Sequence, residues 1–224
     1  MPKFLPLIIL AVAALGVGIF LLVRAAERRR REAWAQAAGS LGFAFAPEAP
    51  AFLAELAGFK VFSRGHSQKV RNLASGDTWE GKVSLADFRY VTGGGKNRAT
   101  HDQTVCVLRL PGLALPHFHL RREVPVLDAI GEMLGGQDLD FPEDAAFSRT
   151  FVLQGEEPDA VRALFDPVVR ERLRGFADPR LHAEGRGDTV VVHRGRPIRP
   201  EQARELLEAT AAIAALLRER ATVR

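Results

Sequence analysis

Six histidines and one cysteine are the side chains of this sequence that could bind a transition metal or act as a nucleophile. His117 and His119 alternate along a strand-like run, so both rings are expected on one face, where a third ligand would complete a metal site. His101, Asp102 and His66 are candidates for that ligand. The sequence has neither an HExxH motif nor a pair of cysteines, the spacings most typical of zinc sites. We therefore predict no metal and no cofactor.

Two further patterns resemble catalytic motifs but fit a structural explanation better. The stretch Gly93–Lys96 resembles the end of a phosphate-binding loop. However, Tyr90 stands where the earlier glycine is needed, and Asn97 follows the lysine instead of serine or threonine. Since the stretch joins two predicted strands, a hairpin turn is expected. Cys106 lies inside an apolar strand, where a thiol is usually inert packing.

A set of basic residues could form an anion-binding pocket. It combines residues near the start of the strand region with residues of the glycine-rich loop: Arg64, His66, Lys69, Arg71, Lys96 and Arg98. An anionic ligand or a lipid headgroup would suit such a pocket. The alternative is scattered, solvated charge, which the zero net charge of the soluble part favours.

An uncharged segment near the amino terminus predicts a transmembrane helix. Residues 4–23 read FLPLIILAVAALGVGIFLLV. As a helix this segment is about 30 Å long, the thickness of the hydrocarbon core of a bilayer. A helix also satisfies its own backbone polar groups in lipid.

The charges that flank this segment predict its orientation. Only Lys3 precedes the segment, whereas five arginines follow it: Arg24, Arg28, Arg29, Arg30 and Arg31. The positive-inside bias holds such arginines on the cytoplasmic side, while a cleaved signal peptide would be shorter and basic at its start. We therefore predict an uncleaved single-pass anchor in the inner (cytoplasmic) membrane, with the soluble region in the cytoplasm. Trp34 could rest in the headgroup layer beside the arginines or pack on the soluble domain.

The overall charge does not indicate nucleic-acid binding. The chain of 224 residues has a formal net charge of +4 and a pI near 9.7. Six basic and two acidic residues lie in residues 1–32, which leaves 25 of each sign in residues 33–224. Because the excess belongs to the anchor, the predicted partners are the membrane and a protein, with no nucleic acid.

The soluble part is predicted to be α+β, a mostly antiparallel sheet with packed helices. We expect a transmembrane anchor over residues 1–24, a juxtamembrane basic helix over 25–42 and a cytoplasmic α+β region over 43–224. Strands are expected at 43–46, 60–63, 69–74, 81–92, 103–110, 117–121, 150–154 and 189–193, with 103–110 central. Helices are expected at 51–56, 123–134, 158–165, 167–173 and 200–220. A boundary between two halves would fall near residues 135–147, where Gly, Asp and Pro collect.

Four longer runs resemble a known group of proteins. They are FSRGHSQKVRNLASG, ADFRYVTGGGKNRATHDQTVCVLRLPGLALPHFHLR, GGQDLDF and FSRTFVLQGEEPDAVRALF. These runs resemble uncharacterised bacterial membrane-anchored proteins classed as domains of unknown function, and the likeness covers most of the soluble part. The resemblance implies a single-span bacterial protein with an α+β domain. It carries over no catalytic residue.

Three hypotheses about function follow. The first is a membrane-tethered, non-enzymatic interaction or sensory-support module. The second is an enzyme of unrecognised type that uses the histidines and the Gly93–His101 loop, which would require His66, His101, His117 and His119 to share a cleft. The third is recognition of anionic lipid by the arginine run and the basic cluster.

Overall fold

The computed structural model describes residues 5–78, 81–123, 138–176, 178 and 180–221. Its helices are α1 (Leu5–Leu41), α2 (Pro50–Glu55), α3 (Lys60–Ser63), α4 (Ala145–Ser148), α5 (Pro158–Leu164), α6 (Pro167–Arg174) and α7 (Ala203–Ala221). Its strands are β1 (Ala44–Glu48), β2 (His66–Asp77), β3 (Lys82–Thr92), β4 (Ala99–Arg109), β5 (Leu115–Arg122), β6 (Phe151–Gly155), β7 (His182–Gly187) and β8 (Thr189–His193).

The eight strands form one sheet in the order β1-β2-β3-β4-β8-β7-β5-β6, and every pairing is antiparallel. The α+β prediction is therefore confirmed. β4 lies between β3 and β8, and its residues 103–108 are buried on both faces, which confirms the central position predicted for residues 103–110. β5 pairs with both β6 and β7, so strands from either side of residues 135–147 share the sheet.

Each face of the sheet buries a separate apolar cluster. On one face, residues such as Leu85 and Leu108 pack against α1, α5, α6 and α7. On the other face, Phe88 and Val107 pack against α2 and α3. At roughly 25 cal/mol per Å² of buried apolar surface, these two clusters are the main stabilising term of the fold.

Helix α1 runs without a break from the apolar segment through the arginine run. By length and composition it can cross a membrane, and the apolar window lies fully exposed rather than packed on the described part of the chain. The helix ends at Gly42, which adopts the left-handed conformation with φ +72°, while the Phe43 N–H donates to the Ala38 carbonyl at 2.9 Å. This is the helix end that the position of Gly42 predicted.

The structure corrects two predictions about the elements. Residues 60–63 form the short helix α3 rather than a strand, because the buried Glu184 carboxylate accepts the backbone N–H groups of Lys60 and Val61 at 2.7 and 3.4 Å. Strand β7 was not predicted at all. Residues 124–134 of the predicted helix over 123–134, and residues 135–137 of the predicted 135–147 boundary, lie outside the described residues.

Candidate functional site

The point where α1 meets the sheet is built around an ion pair between Arg30 and Asp87. The Arg30 Nε and Nη2 atoms each lie 2.7 Å from a different Asp87 carboxylate oxygen, and Nη1 donates to the Ile198 carbonyl at 3.0 Å. A planar guanidinium that engages a carboxylate with two parallel bonds is the strongest geometry for such a pair. The ion pair therefore attaches the part of α1 that follows the apolar segment to strand β3.

Two neutral side chains hold Asp87 for that contact. Asn72 Nδ2 donates to Asp87 Oδ2 at 2.9 Å, and Thr104 Oγ1 donates to Oδ1 at 2.8 Å. Asn72 sits at an irregularity of β2 with φ +53°, a left-handed conformation that asparagine adopts more readily than most residues. That backbone turn brings its amide to the carboxylate. The result is a preorganised acceptor for one arginine of α1.

A cavity of about 230 Å³ opens beside this ion pair. It is lined by charged residues of α1 and of strands β2, β3 and β4, with polar neighbours: Glu27, Arg30, Arg31, Arg71, Asn72, Asp87, Arg89, Asp102, Gln103 and Pro197. Arg71 pairs with Glu27 at 3.1 Å, and Arg89 pairs with Asp102 at 2.6 Å. Asp87 and Arg89, which lie on the same face of β3, are thus half-covered by the helix.

Contacts between α1 and β2 decide which end of the sheet points toward the apolar segment. Near the start of the basic run, Glu27 contacts Arg71. Just past the helix end, the Phe43 ring covers Gly76. β2 therefore runs in the same direction as α1, and its first residues, near His66, point toward the apolar segment. The carboxyl end of β3 and the start of β4 also point toward the apolar segment, because β3 is antiparallel to both β2 and β4.

The β3–β4 hairpin extends far enough to reach the level where the apolar segment ends. Arg24 lies six residues before Arg30, or about 9 Å along the helix. β3 continues from Asp87 to Thr92, about 16 Å at roughly 3.3 Å per residue, before the turn at residues 93–98 begins. By these lengths the turn reaches at least as far as the level of Arg24. The hairpin predicted from the glycine cluster is confirmed.

The six residues of the predicted anion pocket do not share one cavity. Lys69, Lys96 and Arg98 are exposed at the end of β2, β3 and β4 that points toward the apolar segment, and His66 Nε2 bonds to the Gly93 carbonyl there at 3.0 Å. Arg71 lies instead in the cavity beside Arg30. Arg64 lies near the histidines of β5, β7 and β8 on the other face.

The residues expected to face lipid divide into two groups. Arg24, Arg28, Arg29 and Arg31 are exposed on α1. Arg30 is turned toward Asp87, and Trp34 is fully buried in the apolar core. Trp34 is therefore not lipid-facing, because the helical spacing that separates it from Arg30 by four residues places both on the sheet side. Of the two alternatives for Trp34, packing on the domain is the one observed.

The histidines that the sequence singled out lie apart. His101 stacks on Tyr90, with ring centroids 4.8 Å apart, near the β3–β4 turn. His117 bonds to Glu156 and Glu184, each at 2.8 Å. β8 and β7 separate β4 from β5, so His101 and His119 are at least about 14 Å apart across the sheet. Among the described residues no group of three or more His, Cys, Asp or Glu side chains is placed to hold a metal.

Sequence reasoning missed a row of histidines formed by His119, His182 and His193. The rings of His182 and His193 stack with centroids 4.7 Å apart, and His119 lies 6.2 Å from His182. Burial, reinforced by neighbouring charges such as that of Arg64, lowers the pKa of His119 to about 3 and of His182 to about 4. Burial also lowers the pKa of His193 well below its usual value. All three rings are therefore neutral near pH 7.

The cysteine is part of the core. Cys106 is fully buried on β4, and burial raises the pKa of its thiol to about 12. A thiol that stays protonated and covered is neither a nucleophile nor a metal ligand at neutral pH. This agrees with the packing role expected from its apolar surroundings in the sequence.

Comparisons with known proteins show a likeness of fold. No family model matches the chain, and no curated protein matches it. Among solved structures, the crystal structure of the mycobacterial trehalose monomycolate transport factor A, TtfA, is similar, with a TM-score of 0.60 and 18% sequence identity. The match covers 85% of this chain and 93% of that chain. At this identity the likeness concerns the fold.

Proposed function

We propose that this chain is a membrane-tethered, non-enzymatic accessory module, with its single amino-terminal span in the cytoplasmic membrane and its sheet region in the cytoplasm. The observation that supports this proposal is the continuous α1 helix, which is joined to the sheet by the Arg30–Asp87 pair and the buried Trp34. Because no flexible linker separates the span from the sheet, the module works at a fixed height at the bilayer surface.

The charge on α1 supports the cytoplasmic placement. Arg24, Arg28, Arg29 and Arg31 remain exposed immediately after the apolar segment, where the positive-inside bias acts. Arg30 is engaged by Asp87 within the fold, so the four exposed arginines are the ones that set the orientation of the span. The division of the chain into an anchor over 1–24, a basic helix over 25–42 and a soluble region over 43–224 is part of this proposal.

We infer that the module assists an integral membrane protein in a transport process. The structurally similar protein is named a transport factor, and a tethered domain that holds a fixed height suits assistance at a membrane. The separation of His101 from the β5 histidines favours this role over the enzyme hypothesis. Because the structurally similar protein is named for trehalose monomycolate transport, envelope lipids are the class of cargo that the experiment follows.

A complementation experiment tests this function. In the organism that encodes the chain, the gene is deleted and envelope lipids at the cell surface are profiled by mass spectrometry. The full chain should restore the profile, whereas a chain with about ten Gly-Ser residues inserted after Arg24 should not, since the insertion frees the sheet from the span. The same insertion at the exposed Gly187–Asp188 turn is the control and should restore it. Full restoration by residues 43–224 alone would contradict the proposal.

A further inference from the structure

We propose that the membrane-facing end of the sheet binds the surface of an anionic phospholipid bilayer, the same membrane that holds the span. The contact residues are Lys69, Lys96 and Arg98, called here the basic rim. This inference rests on the proposed function, because it requires the apolar segment of α1 to stay in the membrane. The bound chemistry is the phosphate of lipid headgroups presented as a surface.

The basic rim differs from its neighbours in having no internal counter-charge. Arg30, Arg71 and Arg89 are neutralised by Asp87, Glu27 and Asp102, with N–O distances of 2.6 to 3.1 Å. In the described part of the chain, no carboxylate pairs with Lys69, Lys96 or Arg98, and all three side chains are exposed. Uncompensated positive charge that projects from a rigid sheet fits an external anionic partner.

The height of the rim fits that partner. The turn that carries Lys96 and Arg98 reaches at least as far as the level of Arg24, the first charged residue after the apolar segment. Headgroups occupy roughly the first 5–8 Å outside the hydrocarbon core. Electrostatic attraction to an anionic leaflet acts within a Debye length, about 8–10 Å at physiological salt, so the rim lies within its range.

At the opposite end of β2, β3 and β4, the described basic residues have acidic neighbours. Lys82 is paired in register with Asp77, and Arg109 forms an ion pair with Glu55 at 2.9 Å. The positive charge is therefore concentrated at the one end that the course of α1 directs toward lipid. Positive charge at the end nearest the apolar segment favours a bilayer surface as the partner. A soluble anion would need a closed pocket rather than a spread of exposed side chains.

The test measures contact of the hairpin turn with headgroups in the full chain, reconstituted in nanodiscs. An Asn97→Cys variant is labelled with a fluorophore and quenched by lipids that carry a headgroup spin label. The buried Cys106, whose pKa is about 12, stays unlabelled under native conditions. Pro111→Cys, at the opposite end of β4, is the matched label position.

The expected result is quenching at Asn97→Cys in bilayers with about a third phosphatidylglycerol, and at least about twofold less in phosphatidylcholine or in about 1 M NaCl. Adding Lys96→Glu and Arg98→Glu should remove the difference between the two lipids, whereas Lys82→Glu should preserve it. Equal quenching at Asn97→Cys in both lipids, or quenching unchanged by the two reversals, would overturn the inference.

Failure of this inference is separable from failure of the proposed function. Labelling of Asn97→Cys in intact cells by an impermeant thiol reagent would place the sheet on the other side of the membrane and contradict the proposed function, whatever the nanodisc result. Protection in intact cells, combined with lipid-independent quenching in nanodiscs, would reject only the basic rim.

Discussion

Arg30 and Asp87 lie 57 residues apart in the chain, yet their side chains form two parallel hydrogen bonds of 2.7 Å each. One residue belongs to the helix that leaves the apolar segment, and the other to the third strand of the sheet. The basic run on α1 therefore has a structural role besides its predicted role in membrane topology. We call the contact of Arg30 with Asp87 the Arg30–Asp87 joint. Its loss should weaken the attachment of the helix to the sheet, which the buried Trp34 also holds.

An Asp87→Asn substitution is expected to lower the free energy of unfolding by about 2 kcal/mol, because one charge of a hydrogen-bonded, partly buried pair is left without its partner. The measurement is urea unfolding of the full chain in detergent micelles. Asp140→Asn, at an exposed position, is the control and should change stability by less than about 0.5 kcal/mol. Equal changes in the free energy of unfolding for the two substitutions would show that the Arg30–Asp87 pair does not stabilise the fold.

Truncation of Trp34 tests whether α1 is part of the core. Trp34 has no exposed surface, so Trp34→Ala should cost about 3–5 kcal/mol in the same unfolding measurement. Val168→Ala is the control, since Val168 on α6 is 42% exposed. If Trp34→Ala were as mild as the control, the helix would not be packed on the sheet.

The Arg30–Asp87 joint could not be predicted from the sequence, although its parts were visible. Periodicity placed α1, most of the strands and the central position of β4 correctly, because these depend on local apolar spacing. Which arginine of five turns inward depends on the position of a strand 57 residues away. Trp34 was ambiguous for the same reason.

A substitution at Glu184 tests why residues 60–63 form a helix. Glu184 is 2% exposed and accepts hydrogen bonds from the Lys60 and Val61 backbone and from His117. Glu184→Gln should lower stability by about 1–3 kcal/mol and raise the hydrogen-exchange rates of the Lys60 and Val61 amides, since a neutral amide is a poorer acceptor. Glu156→Gln, which alters the exposed partner of His117, should leave those two amides protected.

The buried histidines predict that stability falls in mild acid. Since His119, His182 and His193 have lowered pKa values when folded, the unfolded chain binds protons first as pH falls below about 6.5. Stability is thus fully present above that pH and is lost progressively toward the folded pKa values of about 3 and 4.

The measurement is urea unfolding at pH 7.5 and pH 5, a range in which most carboxylates stay ionised. His182→Gln should reduce the difference between the two pH values by about 1–2 kcal/mol. His66→Gln is the control, because His66 is exposed and should leave the difference unchanged. A wild-type chain equally stable at both pH values would show that these rings are not buried in the neutral form.

Strand β7 shows why part of the site escaped sequence analysis. Its sequence HAEGRG combines a glycine with charged residues, a composition that favours a loop. In the fold it is an inner strand between β8 and β5, where Gly185 leaves room for the Phe118 ring and Glu184 anchors α3. Because the sequence pattern does not predict β7, it does not place His182 beside His119 and His193.

The most direct test of the central claim is the side of the membrane on which the sheet lies. Pro111→Cys in the full chain is treated with an impermeant thiol reagent in intact cells and again after permeabilisation. Labelling is expected only after permeabilisation, with the protein retained in the membrane fraction at full length. Labelling in intact cells, or a mature protein that begins after Arg24, would contradict it.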